Sequence, residues 1–231
     1  MEVEIWSDIG CPFCYIGKYN FEVALDQFDA KDQVKVSHRS FRLDPTASVE
    51  PVETMVELLA KKYGQSIEEA EQMNMQISEA ARPAGLELNL NTVVPSNTMD
   101  AHRLVKHSES AGKEDVALER LYRAYFTENR NVADRETLLE ISGDIGLEIS
   151  DVEKMLSADD YKEAVITDQN EANQLGAQGV PYFVINRKYS ISGAQPPEKF
   201  LEVLKRIQQE EKASVDLSDG QDATCTDEYC E

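Results

Sequence analysis

The sequence has few basic residues and no long apolar run. Its 231 residues include 23 lysines and arginines against 44 aspartates and glutamates, which gives a formal net charge of −21. Nucleic acids and anionic membrane surfaces bind clustered positive charge, so this balance argues against both as partners. No apolar run is long enough to span a bilayer, and no basic segment with an apolar core precedes the first predicted strand. We therefore expect a cytoplasmic protein whose acidity serves solubility.

Cysteine and histidine are also scarce. The four cysteines form two close pairs, Cys11 with Cys14 and Cys225 with Cys230. Such pairs are typical of catalytic thiols in a reducing compartment, whereas a secreted disulfide framework has more cysteines spread along the chain. A zinc site would need two further ligands beside Cys11 and Cys14, and neither a second Cys-x-x-Cys nor a paired histidine supplies them. No metal site is predicted.

The strongest pattern in the chain is the one around the first cysteine pair. Residues 2–9 alternate polar side chains with β-favouring ones, which predicts a strand, and apolar residues at helical spacing follow the pair. The motif Cys11-Pro12-Phe13-Cys14 is therefore predicted on a strand-to-helix turn. Cys11 lies near the N-cap, and Pro12 lies near the first helical position, where its missing N–H costs nothing.

This placement predicts thiol chemistry. The free N–H groups and the positive end of the helix dipole stabilise a thiolate better than a thiol. Cys11 is thus the expected nucleophile, and Cys14, one turn further on, is close enough to resolve a mixed disulfide. A structural disulfide, or half of a metal site, is the alternative that the motif alone leaves open.

The remaining pattern predicts the order strand, helix, strand, many helices, strand, strand, helix. The first helix is predicted over residues 12–30, and residues 51–175 are helical nearly throughout. Capping boxes are predicted at Ser66 with Glu69 and at Ser150 with Glu153. Strand character returns at residues 182–185 and 189–192, and a last helix begins near Pro197. This order fits a small α/β unit split by a helical insertion.

Gly179-Val180-Pro181 immediately precedes the third predicted strand. A proline at a strand entrance is ordinary in itself. Together with an N-terminal Cys-x-x-Cys turn, however, it predicts a cis Val180–Pro181 bond, which is uncommon and marks tight functional turns. We expect this loop to lie against Cys11 and to offer the Val180 backbone to an extended substrate.

Several short motifs spread over residues 2–206 carry a family resemblance. They are Trp6-Ser7-Asp8, Cys11–Gly17, Phe41–Pro45, Asn97-Thr98, Asp100–Leu104, Ala124–Phe126, Gly179–Val184 and Ile191–Gln195. Taken together they resemble the DsbA-like thioredoxin superfamily, specifically the FrnE branch of the family that also includes 2-hydroxychromene-2-carboxylate isomerases. The first cysteine motif alone would not be specific.

The resemblance implies an α/β protein with a thioredoxin fold interrupted by an all-helical insertion domain. The thioredoxin-like domain would comprise residues 1–45 and 176–212, and the insertion would comprise residues 46–175. The implied activity is thiol–disulfide oxidoreduction. Cys11 would attack, Cys14 would resolve, and the substrate-binding residues would be Pro12, Phe13, Val180 and Pro181.

Phe13 departs from the histidine that periplasmic DsbA proteins carry at this place. In those proteins, a donor beside the thiolate stabilises the reduced form and makes the disulfide strongly oxidising. Without that donor, we expect the Cys11–Cys14 pair to have a reduction potential below the roughly −120 mV of DsbA.

Residues 213–231 form an acidic tail that is short of large apolar residues and is predicted to be flexible. Its pair, Cys225 and Cys230, resembles a second C-terminal cysteine pair known in FrnE-type proteins. The pair would be an auxiliary redox site that exchanges electrons with Cys11. The alternative is a flexible end whose cysteines form an incidental disulfide.

The expected partners are proteins or small molecules that carry disulfides or thiols, together with a reductant or oxidant that recycles the enzyme. No cofactor is predicted, although glutathione stays open as a co-substrate, and monomer and homodimer are both open. One alternative function is a glutathione-dependent isomerase of the 2-hydroxychromene-2-carboxylate type, against which the resolving Cys14 argues. The other is a holdase in which the cysteines only maintain shape. His102 is predicted as a half-buried or capping residue without a general-base role.

Overall fold

A computed structural model describes residues 1–219 of the chain. Cys225 and Cys230 lie outside the described residues, so their auxiliary redox role stays a prediction. Within residues 1–219, no helix is long and apolar enough to cross a membrane.

The described residues contain a four-stranded sheet with the order β2-β1-β3-β4. The strands are β1 (Glu2–Ser7), β2 (Lys35–Ser40), β3 (Tyr182–Ile185) and β4 (Tyr189–Ser192). β1 and β2 are parallel, whereas β3 is antiparallel to both β1 and β4. The central strand β1 is buried from Val3 onward, because helices cover both of its faces.

Two helices pack on one face of this sheet. They are α1 (Pro12–Asp26), which is shorter than the predicted 12–30, and α9 (Pro197–Asp219). Phe21 of α1, Phe183 of β3 and Phe200 of α9 form a cluster of rings with centroids 4.6 to 5.6 Å apart. α9 continues past residue 212, the predicted end of the domain. No glycine or proline interrupts the sequence after Pro197 until Gly220.

Between β2 and β3, residues 41–181 contain seven α-helices, in the segment predicted as an insertion. They are α2 (Met55–Tyr63), α3 (Ile67–Ala81), α4 (Met99–Glu109), α5 (Glu114–Phe126), α6 (Arg135–Asp144), α7 (Ile149–Ser157) and α8 (Lys162–Gln174). Their largest core side chains are aromatic and come from α5, where Tyr122, Tyr125 and Phe126 are almost fully buried. The division of the chain into the predicted domain ranges remains our proposal.

The active-site helix packs on this helical core as well as on the sheet. Tyr15 stacks on Tyr122 with ring centroids 4.8 Å apart, and Cys11 and Cys14 belong to the same buried cluster. The first turn of α1 is thus held by the insertion, while Phe21 and Ala24, further along the helix, face the sheet.

One of the two predicted capping boxes is present. Ser66 and Glu69 bond reciprocally at the start of α3. The prediction of a capping box at Ser150 and Glu153 was wrong, because α7 begins at Ile149 with Glu148 as its N-cap. Leu147 N–H bonds back to the Ser142 carbonyl and closes the end of α6, so the chain enters α7 two residues early and Ser150 falls inside its first turn.

Candidate active site

Cys11 lies at the junction of β1 and α1, as predicted. Its backbone is extended (φ −107°, ψ 112°), it is the N-cap of α1, and Pro12 is the first helical residue. The Cys11 carbonyl accepts from Cys14 N–H at 3.0 Å, and Cys11 N–H donates to the Asp8 carbonyl at 3.1 Å. Cys11 is therefore held at the N-terminal end of α1, where the helix dipole is positive.

The predicted second half of the site lies against this thiol. The Val180–Pro181 bond is cis, as predicted. The Sγ atom of Cys11 lies 3.7 Å from the Val180 carbonyl oxygen. The Pro181 carbonyl accepts from Gly193 N–H at 2.8 Å, which ties the loop to the end of β4. The fold thus brings Cys11 and Val180, which are 169 positions apart in the sequence, into one site.

Cys14 lies behind Cys11 and is 1% exposed. Its sulfur accepts from Asp8 N–H at 3.5 Å. Burial and the neighbouring Cys11 thiol raise the pKa of Cys14 well above its ordinary value, so Cys14 is protonated at neutral pH. Both thiols are free. Cys14 is thus buried and protonated directly behind the N-cap residue Cys11, and attack by Cys11 with resolution by Cys14 stays a prediction.

The rim of the site is apolar. Phe13 is 47% exposed beside the buried Cys11. Leu43 is exposed to a similar degree, and its N–H donates to Asp8 Oδ2 at 2.7 Å, which places it next to the active-site turn. Large apolar groups left in solvent at a site of this kind are available for contact with substrate.

Asp8 and His102 form a buried pair that the sequence patterns did not predict. Asp8 Oδ1 lies 3.3 Å from His102 Nε2 and also accepts from Gly10 N–H at 3.1 Å. Burial alone would raise the pKa of Asp8, but the hydrogen bond and charge of His102, helped by the N–H groups of Leu43 and Gly10, outweigh it and lower that pKa. Both residues lie in motifs of the family resemblance, yet no spacing rule connects side chains 94 residues apart.

Gly17 allows α1 and the Pro181 loop to approach closely, and this gives a first prediction. A Cβ atom at Gly17 would lie 2.9 Å from Pro181 Cγ and 3.5 Å from the Ala194 backbone, and neither neighbour is the end of a flexible side chain. We expect Gly17→Ala to displace the loop and to lower kcat/KM for disulfide substrates by about 10- to 100-fold. The measurement is steady-state turnover of the folded variant.

Gly143→Ala is the matched control, because its added Cβ would lie 3.6 Å from Ile149 Cδ1, an ordinary contact. Its turnover should equal that of the unsubstituted protein. Equal turnover of Gly17→Ala would show that the loop tolerates the displacement and that its position is not critical.

The profile of the DSBA-like thioredoxin domain matches residues 2–205. The chain belongs to this family. A probable DsbA oxidoreductase from Streptomyces coelicolor is 37% identical and superposes with a TM-score of 0.86, over 99% of this chain and 94% of its own. With this relative, membership in the DsbA-like family makes the chain an enzyme of the thiol–disulfide oxidoreductase class.

Two further solved structures share the fold at lower identity. The cytosolic disulfide reductase DsbM from Pseudomonas aeruginosa is 19% identical, with a TM-score of 0.62 over 90% of this chain and 99% of its own. A 2-hydroxychromene-2-carboxylate isomerase is 14% identical, with a TM-score of 0.65 over 94% of this chain and 99% of its own. The predicted fold and family are confirmed.

Proposed function

We propose that this DsbA-like protein is a cytoplasmic thiol–disulfide oxidoreductase with Cys11 as nucleophile and Cys14 as resolving residue. The observation that carries the proposal is the position of Cys11 Sγ, at the helix N-cap and 3.7 Å from the Val180 carbonyl, with buried Cys14 directly behind it. An isomerase that uses a single thiol has no need of that second cysteine.

In the proposed reaction, the Cys11 thiolate attacks one sulfur of a substrate disulfide and expels the other sulfur as a thiolate. Cys14 then attacks Cys11 Sγ, which forms the Cys11–Cys14 disulfide and releases the second substrate thiol. The substrate gains two electrons and the cysteine pair loses two. A thiol reductant restores the pair, and the reaction runs in the opposite direction when the substrate is a dithiol and the pair is oxidised.

Glutathione is the proposed recycling thiol or co-substrate. DsbM, which shares the fold, is described as a cytosolic disulfide reductase and has been solved with GSH. Phe13 leaves Cys11 without the donor that the resemblance associates with strongly oxidising enzymes. Both points favour net reduction of disulfides in a glutathione-rich compartment.

The test is reduction of a peptide disulfide and of glutathione disulfide by catalytic amounts of the protein, with excess reduced glutathione or a thioredoxin-type system as electron source. We expect substrate reduction that requires Cys11. If the pair instead oxidises reduced peptides while resisting glutathione, the reductive direction is contradicted. If Cys11→Ser retains full activity, the holdase alternative is favoured over any thiol chemistry.

The C-terminal pair gives a second prediction. A tethered thiol pair acts at an effective concentration of about 1 mM, so its loss matters most when external thiol is scarce. We expect deletion of residues 220–231, which leaves α9 complete, to slow recycling under limiting reductant by about tenfold. The control is full-length Cys225→Ser/Cys230→Ser, which should behave like the deletion. Unchanged turnover in both proteins would show that Cys225 and Cys230 do not exchange electrons with Cys11 during recycling.

A further inference from the structure

The helical insertion contains a polar cavity that the proposed function does not use. The cavity lies between α3 and the segment that follows it, where a single turn of 3-10 helix, Leu90–Thr92, packs against α3. Its volume of about 310 Å³ is at the small end of the range for sites that bind small molecules. The charged and carboxamide side chains that line it are Asn74, Glu79, Arg82, Asn89 and Asn91.

The wall of this cavity is held by the core of the insertion. Leu88 and Leu90 line the cavity and are buried in the main apolar cluster of the insertion. Between them, Asn89 N–H donates to the Phe126 carbonyl at 2.7 Å, and Asn89 Nδ2 donates to the Thr127 carbonyl at 2.7 Å. These bonds tie the wall to the end of α5, so the cavity is formed before any ligand arrives.

The Arg82 guanidinium, at the edge of the cavity, has no hydrogen bond or ion pair with any of residues 1–219. Each of the other arginines bonds a carboxylate or a backbone carbonyl oxygen. Acidic residues outnumber basic ones by 44 to 23, so a guanidinium without a partner is unexpected in this chain. An arginine in this state is available to bind a ligand carboxylate through two parallel N–H···O bonds.

A carboxylate in the same cavity is also without a partner. Glu79 lies three residues before Arg82, and within the described part of the chain its side chain forms no ion pair or hydrogen bond. The two opposite charges therefore line one cavity without being paired with each other. Such a lining is complementary to a ligand that carries both a carboxylate and a cationic group.

The carboxamides of the cavity are also poorly satisfied. Asn91 Oδ1 is buried and accepts no hydrogen bond from a described residue. Asn74 is 3% exposed, and its Nδ2 donates to the Leu90 carbonyl at 3.4 Å, which is long for such a bond. Buried amide groups are costly unless they are hydrogen-bonded, so these side chains favour a ligand with N–H and C=O groups of its own.

We propose that this cavity binds a short peptide with free termini. The peptide carboxylate pairs with Arg82, its ammonium group pairs with Glu79, and its amide groups bond the carboxamides of Asn74 and Asn91. A phosphate-like anion fits the lining less well, because the Glu79 carboxylate would repel it and the buried Asn91 oxygen needs a donor. The site lies outside the thiol chemistry and needs neither cysteine.

The test is isothermal titration calorimetry of the full-length protein with trialanine. Two modified peptides separate the two charged contacts, since the carboxyl-terminal amide lacks the carboxylate and the N-acetyl form lacks the ammonium charge. We expect the amide to bind about tenfold more weakly than trialanine, because the charge-assisted bonds to Arg82 are lost. The N-acetyl form should bind about two- to fivefold more weakly, because Glu79 is more exposed and its pair is screened.

Substitution of the arginine completes the comparison. Arg82→Ala should weaken trialanine binding about tenfold and should bind trialanine and its amide with equal affinity. Arg82→Lys should restore part of the lost affinity, since an ammonium group supplies the charge without the planar fork. The matched control is Arg206→Ala, which removes an exposed arginine of α9 that pairs with Glu210, and its affinity should equal that of the parent protein.

Two results would contradict the site, namely no binding of trialanine to the parent protein and equal affinity of the parent protein and Arg82→Ala. An N-acetyl peptide that binds as tightly as trialanine would contradict the contact with Glu79 and identify the carboxyl terminus of a longer chain as the occupant. Because trialanine carries no thiol, these results are independent of the proposed oxidoreductase function. Arg82→Ala should leave the redox titration of Cys11 and Cys14 unchanged.

Discussion

Cys14→Ser is expected to lower multiple turnover of disulfide substrates by at least about 1,000-fold while leaving the first attack intact. The reason is the division of work between the two thiols. Cys11 caps the helix and faces the Val180 loop, whereas Cys14 is buried behind it. In Cys225→Ser/Cys230→Ser protein, which lacks the tail thiols, the loss of Cys14 leaves the mixed disulfide on Cys11 with no internal thiol to resolve it, and the substrate stays attached.

The measurement is mass spectrometry of the protein after exposure to a peptide disulfide, beside steady-state turnover. In the Cys225→Ser/Cys230→Ser background, Cys14→Ser should carry one peptide on Cys11, and Cys11→Ser should carry none. The matched control is Cys225→Ser, which should retain the first-site chemistry. Peptide bound to Cys14 in the Cys11→Ser protein, at the rate seen for Cys11, would reverse the assigned roles.

Lys106→Met is expected to destabilise the fold by about 3–5 kcal/mol. Lys106 Nζ lies 2.7 Å from Asp168 Oδ2, and the two side chains are 7% and 6% exposed. Asp168 also accepts from Ser40 N–H at 2.8 Å, so the pair joins α4, α8 and the end of β2. Removing the lysine leaves a buried carboxylate without its nearest cation, which is far more costly than losing an exposed pair.

Urea denaturation of the parent protein and of Lys106→Met measures this difference in the free energy of unfolding. Lys154→Met is the control, because its pair with Asp151 is 75% and 54% exposed and should contribute little to the free energy of unfolding. Arg39 Nη1 remains 3.5 Å from Asp168 Oδ1, and the double variant Lys106→Met/Asp168→Leu should recover part of the loss, since it removes the buried carboxylate that has lost its nearest cation. If Lys106→Met lowers the free energy of unfolding no more than Lys154→Met does, the other hydrogen-bond donors to Asp168 are sufficient to stabilise its buried carboxylate.

Local chemistry explains why much of the fold was predictable. The strand-to-helix turn is specified locally, without any tertiary information. Polar and apolar residues alternate before it, and Pro12 occupies the first helical position. Ser66 and Glu69 specify the start of α3 in the same way. At Ser150 the equivalent signal was overridden, because the end of α6 already fixed where the chain turns.

The charged interior could not be predicted from spacing. Asp168 lies on the buried side of α8 among apolar residues, and the sequence pattern places it on that face, but nothing local identifies Lys106 as its partner. The Asp8–His102 pair is the same case, since tertiary packing alone brings β1 next to α4. Ion pairs of this kind can be identified only from the three-dimensional structure, because the spacing of charged residues along the chain does not indicate which of them will be in contact.

A redox titration in glutathione buffers, with acid quench, alkylation and mass mapping of all four cysteines, tests whether Cys11 and Cys14 act as one redox pair. We expect Cys11 and Cys14 to interconvert together between dithiol and disulfide, with a reduction potential below about −120 mV. A Cys11 that remains a lone thiol, or that carries only glutathione while Cys14 stays reduced, would contradict the oxidoreductase function and favour the isomerase alternative.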